Sequence, residues 1–221
     1  MNDPFAQACF NMIQQQVRPW DVLNDRALEA MAAIAREHFV PEAYRGLAYA
    51  DFPVPITPEV QMLAPTVVGR LLQALDVQPG ERVLEIGTGS GYITACLHHL
   101  GGRVLSLEID PALAAAARAR LAALKINGVE IRDGDALAGP VAGGPFDAIA
   151  LNGSMPSAAL LPLLRKQLAV GGRLFAVIGD APAMTATLIT RHTSHHFDTT
   201  TLFETCIPVL SGVVEPERFV F

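Results

Sequence analysis

The stretch that most constrains this chain is Val83–Tyr92, VLEIGTGSGY, where an apolar run meets glycines at every second position, Gly87, Gly89 and Gly91. A helical pattern follows at once, with Ile93, Cys96, Leu97 and Leu100 on one face. Glycine is needed where backbone approaches a ligand closely or φ turns positive, and a strand-to-helix turn over a bound nucleoside demands both. The turn reads as a ligand cradle.

Its spacing and charge narrow the ligand. A dinucleotide fingerprint runs G-x-G-x-x-G and aims a helix N-terminus at pyrophosphate. Here the order is Glu85-x-Gly-x-Gly-x-Gly, and a carboxylate in that place repels phosphate and suits a cation. S-adenosylmethionine, with an ammonium, a sulfonium and no phosphate, fits it. About twenty residues on, Glu108 closes the apolar strand at Val104–Leu107, where an acid accepts both hydroxyls of a ribose. NAD would want that carboxylate too. Gly134-Asp135-Ala136 then follows another short strand, placing a carboxylate for an adenine amino group and a backbone N–H for the ring. These elements in this order predict a class I S-adenosylmethionine-dependent methyltransferase fold. Its candidate cofactor residues are Glu85, Ile86, Gly87, Thr88, Gly89, Gly91, Glu108, Ile109, Asp135, Ala136 and Asn152.

The rhythm of the chain agrees. Apolar faces predict helices over 5–17, closed by Arg18-Pro19, and over 25–37, capped by Asn24 or Asp25. Four prolines between Phe39 and Pro58 predict an extended connector. Pro65 opens a helix to about Leu75. Strands at 82–86, 103–108, 129–132, 146–151 and 173–178 then alternate with helices at 91–100, 111–124 and about 162–170. Alternation of this kind gives a doubly wound, mostly parallel sheet, here seven-stranded, with helices on both faces. Thr185–Thr190 and Phe197–Phe203 read as a C-terminal antiparallel hairpin. The expected division is an N-terminal helical cap with its connector over 1–60 and a core over 61–221, the cap closing over the acceptor and the lone Trp20 stapling it to the core.

Composition sets limits on partners. A formal charge of −6 without a Lys/Arg cluster disfavours nucleic acid and anionic membranes. The segment before Phe10 lacks the pattern of a signal peptide, and no apolar run reaches spanning length. Cys9, Cys96 and Cys206 show no C-x-x-C spacing, so inert thiols in a reducing, cytoplasmic compartment are expected. His192, His195 and His196 lack the spaced carboxylate or thiol of a metal site and read as a polar turn, and no metal is expected. His98 and His99 sit where a helix C-terminus favours imidazolium.

Several stretches resemble one family, the protein-L-isoaspartate O-methyltransferases. Arg36–Pro41 is similar to its RExFVP motif, Ala48–Asp51 to its AYxD, and Val83–Tyr92 to its VLEIGTGSGY; Phe146–Ile149 and Gln167–Leu174 match as well. The resemblance covers nearly the whole chain. It implies methyl transfer from S-adenosylmethionine to the free carboxylate of an isoaspartyl residue in damaged protein.

One departure stands out. The family carries Thr-Ile-Ser-x-Pro with its hydroxyls at the active site, whereas this chain, aligned on Pro65, has Gln61 and Leu63 in their places. An ionised carboxylate needs placement and desolvation rather than a strong base, so methyl transfer does not require those hydroxyls. Their loss removes polar anchors, and the expectation is weak or absent isoaspartyl methylation. Gln61, Leu63 and Asn152 are the residues to test for a catalytic role. Asn152 and Ser154 follow the fourth strand of the core, at the carboxyl edge where ligands bind, and no N-P-P-[FY] motif of nucleobase amine methyltransferases occurs there. Two alternatives stay open: a smaller, more apolar acceptor, and a cofactor-binding protein without turnover. The phenylalanine-rich tail ending in Phe219-Val220-Phe221 also departs from the family pattern.

Overall fold

The computed structural model describes residues 4–213, so Phe219–Phe221 lie outside the described residues. The first helical stretch begins as α1 (Pro4–Asn11), passes through a π-helical turn at Met12–Val17 and ends in a 3-10 turn at Arg18–Trp20. Pro19 does not stop it: Arg18 keeps helical φ/ψ, and the path ends at Asp21, whose φ of 57° leaves the helical region. α2 (Asp25–Ala33) is capped by Asn24, whose side chain accepts from the Ala27 N–H at 3.1 Å. It is shorter than its apolar pattern predicts, because Ile34 and Ala35 are extended and Arg36–His38 forms a separate 3-10 turn. That break rotates Arg36 inward, to complete burial.

The connector is also less extended than its prolines imply. Pro41 precedes a 3-10 helix at Glu42–Leu47, and only β1 (Val54–Pro55) and β2 (Gln61–Met62) pair as a small antiparallel ribbon. α3 (Pro65–Leu75) follows with proline in its first turn and Asp51 accepting from the Thr66 N–H and hydroxyl.

The main sheet has seven strands. β3 (Arg82–Ile86), β4 (Arg103–Glu108), β5 (Glu130–Asp133), β6 (Phe146–Met155) and β7 (Leu168–Ile178) are parallel, while β8 (Met184–Arg191) and β9 (Phe197–Thr205) complete the antiparallel end. The order is β5-β4-β3-β6-β7-β8-β9, so the chain reverses direction across the sheet between β3 and β6. Crossovers run through α4 (Tyr92–His99), α5 (Pro111–Ala123) and the short α6 (Leu161–Arg165). The helix expected over 162–170 is cut short because β7 begins at Leu168 and accommodates Gly171-Gly172 as an irregularity. A Cβ at Gly172 would lie 2.9 Å from the Phe146 carbonyl, so only glycine lets the strands close there. β6 likewise runs through Asn152–Met155, a segment read from sequence as a loop, with a register shift after Ala150.

One sheet face shares its core with the N-terminal helices: Met12, Val17 and Met31 pack in the same cluster as Val83, Ala148 and Phe175. α3 is the mediator. Its Gly69 leaves room for Val17, whose Cγ1 would stand 2.7 Å from an added Cβ. The Gln73 amide accepts from the Leu23 and Asn24 N–H groups and donates to the Asp21 carbonyl. Trp20 packs edge-on against Phe203 of β9 at 6.4 Å, so it staples the N-terminal stretch to the sheet as expected.

Candidate functional site

The reversal between β3 and β6 opens a crevice at the carboxyl ends of the strands, the place where ligands bind in open α/β sheets. Its floor is the β3–α4 turn, Ile86 to Gly89. Gly87 and Gly89 have φ of 87° and 53°, and a Cβ on Gly87 would come within 2.9 Å of Leu210. Gly91, with φ of 84°, does not line the cavity; it turns the chain into α4 close to Ala117 and Leu121 of α5.

Glu108 and Ile109 form the next wall. Glu108 is buried and already accepts from the Gly89 N–H at 2.8 Å and the Asp110 N–H at 3.2 Å. Each oxygen keeps a lone pair, which suits a diol. Asp135 and Ala136 stand beyond β5, the Asp135 carboxylate accepting from the Leu137 N–H at 2.8 Å.

Glu85 is the exception among the carboxylates. It lies inside the sheet, opposite Ser106 and Ala150, and is fully buried beneath the cavity rather than in its wall. The Glu85 side chain, read from sequence as a ligand contact, therefore does not line the cavity; its partner Asn152 does. Its oxygens accept from the Thr94 hydroxyl and, at 2.6 Å, from the Asn152 amide. Burial pushes the Glu85 pKa up to about 7, the hydrogen bonds from Thr94, Ser106 and Asn152 oppose this, and the Glu108 charge adds to it.

Asn152 carries the consequence upward. Its Nδ2 donates both to Glu85 and to the Gly87 carbonyl at 2.9 Å, and two acceptors on one side fix the amide's orientation. Its Oδ1 is buried without a partner among the described residues, and the residue lines the cavity. An acceptor left unpaired there matches a ligand ammonium. Ser154 does not share this role: it is fully buried, and its backbone bonds to Pro208 and Leu210 while its hydroxyl donates to the carbonyls of Ile207 and Pro208.

The cavity is roofed from two directions. Gln61 and Leu63 line it beside Ile56, Val60 and Met62, with Gln61 exposed and Leu63 buried. Helices α1 and α2 contribute no lining residue, so the roof is the connector and not the helical cap. Opposite, Pro208–Ser211 cross the end of β6. This second roof has a signal in the sequence only at Gly153, where a Cβ would stand 2.8 Å from the Leu210 backbone.

Sequence reasoning also passed over Arg36 and Tyr92, both of which line the cavity. Arg36 donates to the carbonyls of Ala48 at 2.9 Å and Leu63 at 2.8 Å and stacks over the Tyr92 ring. Its neighbour Glu37 accepts a short hydrogen bond from Tyr49. The RExFVP-like and AYxD-like stretches thus tie together around the segment that carries Gln61–Leu63.

Among the described residues no group of three or more His, Cys, Asp or Glu is placed to hold a metal ion, and no helix is long and apolar enough to cross a membrane.

Comparison with known proteins agrees with this geometry. A solved structure from Plasmodium falciparum, described as a β-aspartate methyltransferase in complex with S-adenosyl-L-homocysteine, superposes with a TM-score of 0.78, covering 95% of this chain and 99% of that one at 23% identity. That likeness is one of fold. Protein-L-isoaspartate O-methyltransferase of Methylorubrum populi is 39% identical over 203 residues, 91% of this chain and 94% of its own. Its counterpart in Aeropyrum pernix is 43% identical over 191 residues, 85% of this chain and 73% of its own. The model of one family matches residues 9–212, a span that takes in the glycine turn and both roofs. By that match and by these relatives, the chain belongs to the protein-L-isoaspartate(D-aspartate) O-methyltransferase family.

Proposed function

We propose that the protein is an S-adenosylmethionine-dependent methyltransferase that esterifies the free carboxylate of an isoaspartyl residue in a protein or peptide. The observation that carries this reading is the buried Oδ1 of Asn152 at the switch point, without a partner among the described residues and held in place from below by Glu85. It would seat a ligand ammonium within one cavity that also presents Glu108 and Asp135. The cofactor would supply a methyl group on a sulfonium, an electrophile that an ionised carboxylate needs no base to attack.

The protein's part is placement. Asn152 would hold the amino acid end, Glu108 the ribose, and Asp135 with Ala136 the adenine. The roof at Ile56 and Val60–Leu63 would keep water from the reacting carboxylate. Three unpaired cysteines fit a reducing compartment, and we place the protein in the cytoplasm. A second reading, a small apolar acceptor, is favoured by buried Met62 and Leu63 in that roof.

Methyl transfer to an isoaspartyl peptide, measured beside its aspartyl twin, separates the two. Transfer to the isoaspartyl peptide alone is the expected result. Transfer to neither peptide, with S-adenosylhomocysteine still bound, would shift the assignment to the apolar acceptor.

A further inference from the structure

Arg36 is fully buried, and it lines the cavity rather than crossing the molecule to a distant partner. Two of its nitrogens are engaged: Nε donates to the Ala48 carbonyl and Nη2 to the Leu63 carbonyl. The third, Nη1, is buried without a partner among the described residues. Both acceptors are neutral. The ionisable groups that act on the guanidinium are Tyr92, which bears on it through its neutral hydroxyl as well, Cys96 and Tyr49, and none of these is an acid ionised at neutral pH, so no neighbour supplies an opposite charge. Burial raises the Tyr92 pKa and pushes the Cys96 thiol up to about 12, so neither supplies a counter-charge.

An arginine keeps its charge in nearly any environment. A buried charge without an opposite charge is costly, and one that persists in a fold points to a missing partner. That partner must be an anion, must enter through the cavity and must accept a hydrogen bond from Nη1. It must also arrive next to Leu63, whose carbonyl the same guanidinium holds. A free phosphate group is a poor candidate, since the cavity already contains Glu108 and Asp135 and lies over Glu85. A single carboxylate fits, with one oxygen on Nη1 and the other left to react.

We propose that Arg36 binds the carboxylate of the acceptor, an anchor that does not depend on hydroxyls at positions 61 and 63. This rests on the reading of the acceptor as an isoaspartyl carboxylate. Arg36 accordingly distinguishes an ionised acceptor from its neutral twin. Esterification removes the charge that Nη1 recognises, so the methylated product leaves more readily than the acceptor.

The test uses the full chain saturated with S-adenosylhomocysteine and two peptides, one isoaspartyl and one isoasparaginyl, in which an amide replaces the free carboxylate. Calorimetric titration of the unmodified protein is expected to show at least tenfold tighter binding of the isoaspartyl peptide. In Arg36→Gln that ratio falls towards one, and Arg36→Lys retains part of it. Affinity for S-adenosylhomocysteine is followed in parallel, because a merely structural role would lower both affinities and leave the peptide ratio intact.

Should Arg36→Gln fail to fold, guanidinium nitrogen resonances of the unmodified protein answer the same question. They are expected to shift with the isoaspartyl peptide and not with the isoasparaginyl one. An unchanged ratio in Arg36→Gln, or resonances indifferent to both peptides, overturns the proposal and leaves Nη1 to a trapped water. If the unmodified protein nonetheless methylates the isoaspartyl peptide, only the Arg36 anchor falls. If it binds neither peptide and transfers no methyl group, the isoaspartyl reading falls with it.

Discussion

Glu85 offers the sharpest quantitative test, since its fully buried carboxyl has a pKa of about 7 against an ordinary value of 4.5. Between those values the folded protein holds a proton that the unfolded chain has lost. Stability from this group is therefore fully present below pH 4.5 and is lost as pH rises towards 7. At about 1.4 kcal/mol per pH unit, the gap corresponds to a loss of about 3 kcal/mol. Other carboxylates tilt the absolute curve, so the quantity to measure is the difference between the protein and its Glu85→Gln variant. Urea unfolding from pH 4 to pH 8 gives it directly. The difference should fall by about 3 kcal/mol across the window and level off above it. A ligand ammonium seated on Asn152 would favour the ionised form. S-adenosylhomocysteine affinity should then rise with pH up to about 7 in the protein and stay flat in Glu85→Gln. A flat stability difference would show that the hydrogen bonds from Thr94, Ser106 and Asn152 offset burial and leave the folded-state pKa at its ordinary value.

Other perturbations address the remaining walls. Glu108→Ala should weaken S-adenosylhomocysteine binding by about 1.5–3 kcal/mol per lost hydrogen bond to the charged acceptor, and an unchanged titration would place the ribose elsewhere. Gln61→Thr combined with Leu63→Ser should raise the rate of isoaspartyl methylation; full activity in the unmodified protein would show the hydroxyls to be dispensable. Adding S-adenosylhomocysteine should slow hydrogen exchange in 56–63 and 207–212 while Trp20 fluorescence stays constant, and protection centred on α1 and α2 would reverse the assignment of the roof. Gly153→Ala should displace Leu210 and abolish ligand binding, and retained affinity would detach that crossing from the site.

Local patterns announced the elements whose causes are local. Pro111 behind Asp110, the glycine turn at 87–91 and the acids after the strands each encode their geometry within a few residues, and Gly87, Gly89, Glu108 and Asp135 line the cavity at the carboxyl edge while Gly91 does not. Misreadings arose where distant contacts decide. The Pro162–Val170 pattern looks helical, yet pairing of Leu168 with Phe146 draws it into a strand. The α2 pattern continues past Ala33, but Arg36 is pulled inward by carbonyls 12 and 27 residues away. Neither a distant acceptor nor a missing counter-ion leaves a periodic mark. The same blindness applies to Glu85: its burial follows from strand order, which brings β6 alongside β3 only after β4 and β5 have been laid on the other side.

The crossing of residues 207–210 over β6 has a kinetic side. It is anchored to Ser154 by two backbone hydrogen bonds, Ser154 N–H to Pro208 and Leu210 N–H to Ser154, with a weaker pair from the hydroxyl. These bonds contribute about 1 kcal/mol net each, and burial of Ile207 and Leu210 adds to the cost of opening this side of the cavity. Unlatching one short segment that places Ile207 and Leu210 in the core is nonetheless a smaller motion than swinging the N-terminal helices, which place Met12, Ile13, Val17, Leu28 and Met31 there. We expect release to be sensitive to substitutions along 207–212 and indifferent to those at the Trp20–Phe203 contact. Single-turnover and steady-state rates compared across such variants would separate the two.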